Sequence, residues 1–267
     1  MEALNLWQNR QMLVAETPCA LLWPAAMMTW GPGFKSSSHK HHSVQLVMAL
    51  DGSLRVRSGP GHRWIKCGAA LVKPDVFHQV EAEDVHVLIA FVDPESDLGA
   101  ALLETIDLDI SPVLAGTVST WRRDLGEPEA LTASRVEPWV RKHLLSGRRA
   151  PRIHPAVRRV LKTLRAEIGP RSSFPLRRLA QIAKLSPSRL MHVFTQSVGV
   201  PIRPYIRWLR LQRACGELMR GATISEAAHR TGFSDAAHLS RTMRGMMGTT
   251  PSELRSRRAA VRGSFGS

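Results

Sequence analysis

Apolar positions along the chain follow two different periods. Over the first 92 residues they fall in short dense runs, Val44–Leu50, Ser53–Arg57 and Val85–Val92. Turn signals bound these runs at Asp51-Gly52, Ser58-Gly59-Pro60-Gly61 and Pro74-Asp75, which predicts short strands in a barrel or sandwich. The stretch from Arg57 to Trp64 reads as a hairpin loop. From Asp93 the period lengthens. Pro94-Glu95-Ser96 opens a helical stretch with Leu98, Leu102, Leu103 and Ile106 on one face. A second helical segment is expected from about Pro138 to Leu145, and Gly147–Pro151 reads as a linker. From Pro155 to Arg258 the pattern is helical, with breaks at Gly169-Pro170, Ser186-Pro187, Gly199, Gly221, Gly232 and Gly248. The expected fold is therefore α+β in two domains. It has a β-barrel over 1–92, a helical connector over 93–151 where a dimer contact could sit, and an all-α domain over 152–260.

The helical third contains an internal repeat. Leu176–Ile206 and Ile224–Leu254 each hold a short helix with alanines, a tight turn, and a second amphipathic helix ending in Gly with Pro shortly after. In the first copy Ser186 is a good N-cap and Pro187 a good first helical residue, with Leu190 and Phe194 facing the core. In the second, Gly232 permits the turn, Ser234 or Asp235 caps, and Leu239 and Met243 face the core. Small residues let paired helices cross closely and leave the second helix of each pair protruding, the arrangement of a helix-turn-helix unit. A helix of about nineteen residues between the copies would be roughly 28 Å long. It could hold two recognition helices near one duplex turn apart.

Charge points the same way. Residues 141–267 carry 26 Lys and Arg against 5 Asp and Glu, whereas residues 1–140 carry 11 against 17. An acidic half joined to a strongly basic one fits a chain of which one part meets nucleic acid. By helical period the exposed faces are Ser188, Arg189, Met191, His192 and Gln196 in the first recognition helix. In the second they are Ala236, Ala237, His238, Arg241 and Arg244. Arg203, Arg207 and Arg210 on the intervening helix are expected to meet phosphates rather than bases. Cys19, Cys67 and Cys215 form no pair by spacing, which fits a reducing compartment. The apolar stretch from Pro18 to Met28 is too short to span a bilayer. The chain thus reads as soluble and cytoplasmic, without a membrane partner.

On these motifs the region from Ile153 to Arg258 resembles the AraC/XylS family of bacterial regulators. The most specific part is Ile224-Ser225-Glu226-Ala227-Ala228, Gly232-Phe233, Arg241 and Gly248-Thr249-Thr250-Pro251-Ser252. Leu239 and Met243 depart from the family's usual Phe, and Lys184 from its usual Gly. The resemblance implies a ligand-responsive, sequence-specific transcription regulator, read as an activator, whose partners are double-stranded DNA, an effector and RNA polymerase, with a homodimer expected but not required. It puts Ser188, Met191 and His192, then Ala237, His238 and Arg241, at base-facing positions.

The β-rich region holds a second pattern: Gly33, His39-Lys40-His41, Gln45 and Gly52, then Gly68, Pro74 and His78. This resembles the cupin barrel motifs, with Gln45 in place of the usual Glu, and makes the first domain a cupin-like sensor. Two ligands stay open. One is an organic effector lined by Trp30, His39, His41, Gln45 and His78. The other is a divalent transition metal held by His39, His41, Gln45 and His78. His42, His62 and His86 read as surface residues. The alternative functions are a metal-dependent cupin enzyme carrying a DNA-binding tail and a non-specific architectural binder. No triad or paired-carboxylate pattern for catalysis is visible.

Overall fold

The computed structural model describes residues 15–17, 20–23, 26–144, 153–169 and 172–256, with side chains from Ala26 onward apart from Asp97. The linker expected at Gly147–Pro151, the domain limits at 151 and 260, Pro170 and Cys19 lie outside the described residues. The strands are β1 (Ala15–Thr17), β2 (Ala20–Trp23), β3 (Ala26–Pro32), β4 (Val44–Ala49), β5 (Leu54–Arg57), β6 (Ile65–Cys67), β7 (Ala69–Val72), β8 (Gln79–Glu81), β9 (His86–Val92) and β10 (Ile110–Pro112). They form a seven-stranded sheet in the order β1-β2-β3-β9-β4-β7-β10 and a three-stranded sheet in the order β6-β5-β8. The hairpin expected around Arg57–Trp64 is the β5–β6 pair, with Arg55 opposite Lys66.

The barrel of the expectation is thus two separate sheets among the described residues. The large sheet is covered on both faces, which is why every residue of β4 is buried. Successive side chains alternate between those faces. Val47 and Ala49 join Met27, Ile89 and Phe91 on the inner face, beneath the small sheet. Val44, Leu46 and Met48 join Trp30 and Leu88 on the outer face. Gly33 is required at the end of β3, because a Cβ there would lie 1.6 Å from the Ala82 carbonyl oxygen.

Residues 93–144 cover that outer face with three helices, α1 (Asp97–Leu103), α2 (Ala115–Leu125) and α3 (Ala133–His143). Ser96 caps α1 by accepting from the Gly99 amide. This connector is not purely helical, since β10 extends the large sheet at β7. Helix α3 begins five residues earlier than the pattern predicts and carries Pro138 inside it. Val118, Trp121, Val136 and Trp139 pack into the sheet's outer core, so the segment belongs physically to the β domain.

The C-terminal domain contains α4 (Pro155–Glu167), α5 (Leu176–Ala183), α6 (Pro187–Val198), α7 (Ile202–Arg220), α8 (Ile224–Thr231) and α9 (Ala236–Met247), with further α-helix over 251–256. Helix α7 is the spine. Its Tyr205 and Leu209 pack with α4–α6, whereas Trp208, Leu211, Cys215 and Leu218 pack with α8 and α9. These sets lie about a third of a turn apart, so one helix supplies a core face to each unit. The apolar contacts of α8 and α9 run without a break through Trp208 into the inner face of the β domain.

Candidate nucleic-acid interface and sensor site

Both predicted recognition helices form, and their caps explain where. In α6, Ser186 accepts from the Arg189 amide and Pro187 occupies the first turn. In α9 the cap is Asp235, which accepts from the His238 amide at 2.6 Å. Helix α8 has a capping box between Thr223 and Glu226, and its sequence signature, Thr-x-x-Glu, stands just ahead of the second repeat. Close crossings rest on the buried alanines Ala180, Ala183, Ala227 and Ala228. The turn after α5 places Lys184 at φ 56° and ψ 44°. That left-handed conformation is why a glycine suits the position.

The expected DNA-facing side chains are distributed as helical period requires. Ser188, Arg189, Met191, His192 and Gln196 are all exposed on α6. On α9, Ala237, Arg241 and Arg244 are exposed. His238 and Ala236 are half-buried, with the His238 ring edge-on to Phe233 and its Nδ1 3.1 Å from Ser234 Oγ. Arg203 and Arg207 are exposed on α7. Arg210 is not a free phosphate ligand: it donates to the Ser172 carbonyl at 3.0 Å and lies against Gly232. The period put it on the same strip as Arg203 and Arg207, but the turn of the second unit folds over it.

In the β domain, His39, His41, Gln45 and His78 converge. All four are buried, and one ring nitrogen of each histidine lies within 4.8 Å of the others. Backbone pairing between His39 and His78 brings their two segments together. Gln45 projects from β4 on the inner face, and its Oε1 is 2.8 Å from both His41 Nε2 and His78 Nε2. Trp30 is not with them. Strand alternation turns it to the outer face, where Nε1 donates to the Leu131 carbonyl at 3.1 Å. The expectation for His42 also needs correcting. It is buried, with Nδ1 2.7 Å from Asp75 and Nε2 3.0 Å from Glu95. His62 is exposed as read, and His86 is half-buried with Nδ1 2.9 Å from Asp51.

The hydrogen bonds fix the tautomers of His39 and His78. A carbonyl only accepts, so His39 Nδ1 donates to Ser37 at 2.8 Å and His78 Nδ1 donates to Val76 at 2.9 Å. Burial, helped by the neighbouring His78, holds His39 down to about 3. Burial also lowers His41, to well below the usual imidazole range, and His78. Neutral rings protonated at Nδ1 carry a bare lone pair at Nε2. The approach of His78 Nε2 to Gln45 Oε1 therefore sets acceptor against acceptor. Either the amide turns its NH2 inward or a cation sits between them. His41 Nδ1 meets Ser43 Oγ at 2.7 Å. A backbone or hydroxyl partner on the far nitrogen is the usual outer support of a metal-binding histidine. The Nε2 lone pairs of His39 and His78, a ring nitrogen of His41 and one amide oxygen thus suit a divalent transition ion.

Several of these groups touch the C-terminal domain, which the sequence did not foretell. Trp208 of α7 lies nearly parallel to His41, ring centroids 5.6 Å apart, with its Nε1 buried and without a hydrogen-bond partner among the described residues. Ser37 N–H donates to the Gly248 carbonyl at 2.9 Å. Asp93, at the end of β9, accepts from Tyr205 Oη at 2.7 Å and from Arg165 Nε at 3.1 Å, with a second contact from Arg165 Nη2. Burial disfavours its charge, but Arg165 and Tyr205 hold it down to about 2. Burial and the adjacent Asp93 push Glu95 up to about 8, against the pull of His42.

Among known proteins, residues 179–257 match a family described as a helix-turn-helix domain. The chain is 33% identical over 87 residues to the arabinose operon regulatory protein of Escherichia coli. It is 28% identical over 132 residues to the Msm operon regulatory protein of Streptococcus mutans. These matches span 32% and 49% of this chain but only 29% and 46% of those proteins. Among solved structures, apo ToxT from Vibrio cholerae shares the fold at a TM-score of 0.57 and 11% identity, covering 87% of this chain and 97% of that one. A ToxT structure with bound unsaturated fatty acid has a TM-score of 0.53 at 12% identity, covering 91% and 98%.

Proposed function

We propose, from the premise that this chain carries an AraC-type helix-turn-helix domain, that it is a ligand-responsive, sequence-specific regulator of transcription. The observation that carries the reading is the pairing of two recognition helices with exposed polar faces on one rigid nineteen-residue spine. Bulk phosphate binding needs no such geometry. Ser188, Met191 and His192 read bases from α6, and Ala237, His238 and Arg241 from α9. Arg189, Gln196, Arg203 and Arg207 hold the backbone. The protein acts in the cytoplasm on double-stranded DNA and contacts RNA polymerase, as a monomer or a homodimer. Among the described residues no helix is long and apolar enough to cross a membrane.

The β domain, supported by residues 93–144, is the cupin-like sensor. ToxT with bound fatty acid makes a small-molecule effector one reading of such a domain. The tautomers at His39 and His78, and the convergence of both with His41, favour another, a divalent transition ion held with Gln45. That ion supplies positive charge where buried acceptors face one another. Crosslinking the tagged protein to DNA in its own host and sequencing the bound fragments tests the regulator reading. A few sharp sites support it; diffuse enrichment that follows only phosphate density refutes it. Metal content of the protein purified without chelators tests the sensor ligand.

A further inference from the structure

We propose that the sensor site and the domain interface are one device: an ion bound by His39, His41, His78 and Gln45 locks the second helix-turn-helix unit onto the β domain. This rests on the metal reading of the sensor given above. Two of the three rings form the floor on which the C-terminal domain rests. His39 donates to the carbonyl of Ser37, and Ser37 donates through N–H, and through Oγ at 3.3 Å, to the carbonyl of Gly248. Gly248 ends α9, and that carbonyl is one of those a helix terminus leaves without an internal partner. No space separates the two domains there: a Cβ on Gly248 would lie 2.4 Å from His39 Nδ1. His41 in turn lies under Trp208, which is fully buried in the core shared by α7, α8 and α9.

Fixing the rings therefore fixes the end of one recognition helix and the middle of the spine. Without an ion the Gln45 amide turns its NH2 toward His78 and nothing draws the three rings to a common centre, so they are free to shift. Any such movement carries Ser37 and the Trp208 contact with it. Linkage requires the converse as well: a docked domain that orders the rings raises ion affinity by the factor by which the ion favours docking. Docking does not mask the DNA-facing side chains, since Ala237 and Arg241 stay exposed. What it sets is the orientation of α9 relative to the sensor.

The test uses the full chain with Zn²⁺ as probe. Zn²⁺ affinity is measured by chelator competition in the wild type, in His78→Ala, and in Asp93→Ala. The last loosens the interface through Arg165 and Tyr205 without touching an ion ligand. Amide hydrogen exchange across residues 202–210 and 244–250 is followed in the wild type with and without Zn²⁺. The expected result is binding lost in His78→Ala, weakened about tenfold or more in Asp93→Ala, and slowed exchange in both segments on adding Zn²⁺. Binding that His78→Ala abolishes but Asp93→Ala leaves unchanged, with exchange unaltered, overturns the linkage and leaves the metal site standing. Binding indifferent to His78→Ala overturns the metal reading and the linkage with it. The exchange measurement needs no variant, so an Asp93→Ala chain that fails to fold does not rescue the proposal.

Discussion

Replacing Asp93 by alanine should loosen the attachment of the DNA-binding domain, and the structure sets the size of the effect. Asp93 is 1% exposed, and its partners Arg165 and Tyr205 come from the other domain. The Arg165 side chain is 20% exposed, so little water is available to replace the carboxylate. Removing one partner of a buried ion pair costs about 3–5 kcal/mol, because the remaining charge is left unpaired. The depression of Asp93 from 3.8 to about 2 gives a lower figure, about 2 kcal/mol at 1.36 kcal/mol per pK unit. Both figures have the same sign, and the direct cost of an unpaired buried charge is the larger: the stabilisation is fully present above the unfolded value near 3.8 and is lost as pH falls through about 2. The assay is a urea-unfolding cycle of wild type, Asp93→Ala, Arg165→Met and the double variant, with limited proteolysis between the domains as the docking readout. Each single variant should lose at least about 2 kcal/mol, and the double variant should lose less than the two together by about 1.5 kcal/mol or more. Losses below about 0.5 kcal/mol that simply add would mean that the pair is solvated in solution and the domains are not docked as described.

Lys184→Gly should raise stability by about 1 kcal/mol, read as a higher urea midpoint, since glycine adopts φ 56° without the penalty a Cβ incurs. Glu95 keeps its proton up to about 8 when folded, against 4.5 ordinarily. The folded state thus holds the extra proton, and the stability it contributes is fully present below 4.5 and lost as pH rises through 8. Glu95→Gln, which mimics the protonated acid, should flatten that part of a stability–pH curve; an unchanged slope assigns the dependence elsewhere. Arg241→Ala should cost about 1–3 kcal/mol of binding to a cognate site and relax base preference there. Arg203→Ala should weaken all sequences alike and lower the salt slope by about 1. Quantitative footprinting against cognate and scrambled duplexes separates these two roles.

The C-terminal units were legible because their signals are local. Ser186-Pro187, Gly199, Gly232 and Gly248 mark caps within a few residues of the helices that they end or begin. The spacing of Leu190 with Phe194, and of Leu239 with Met243, orients those helices without reference to anything distant. The histidine cluster was legible for a different reason. His39, His41 and Gln45 lie within seven residues of one another, and resemblance supplied His78. Trp30 went astray because residue type alone does not say which face of a strand is inward; its neighbour Met27 faces the site side and Trp30 the helices. His42 went astray because its partners Asp75 and Glu95 are 33 and 53 residues away and leave no periodic trace.

Separation along the chain likewise hid the domain interface. Asp93 meets Tyr205 across 112 positions and Ser37 meets Gly248 across 211. No period or motif links such pairs, and each residue has an ordinary local explanation: Asp93 ends a strand, Gly248 ends a helix, Trp208 is one apolar position among many on α7. Taken together they give that helix two duties at once. Its Tyr205 side packs against the first unit and is bonded to Asp93, while its Trp208 side joins the second unit to the floor of the histidine site. A rigid rod contacted in this way cannot turn about its axis without breaking one set of contacts or the other. A rearrangement of the rings beneath Trp208 is therefore felt at both recognition helices, which is the physical requirement for a sensor that governs how two helix-turn-helix units meet DNA.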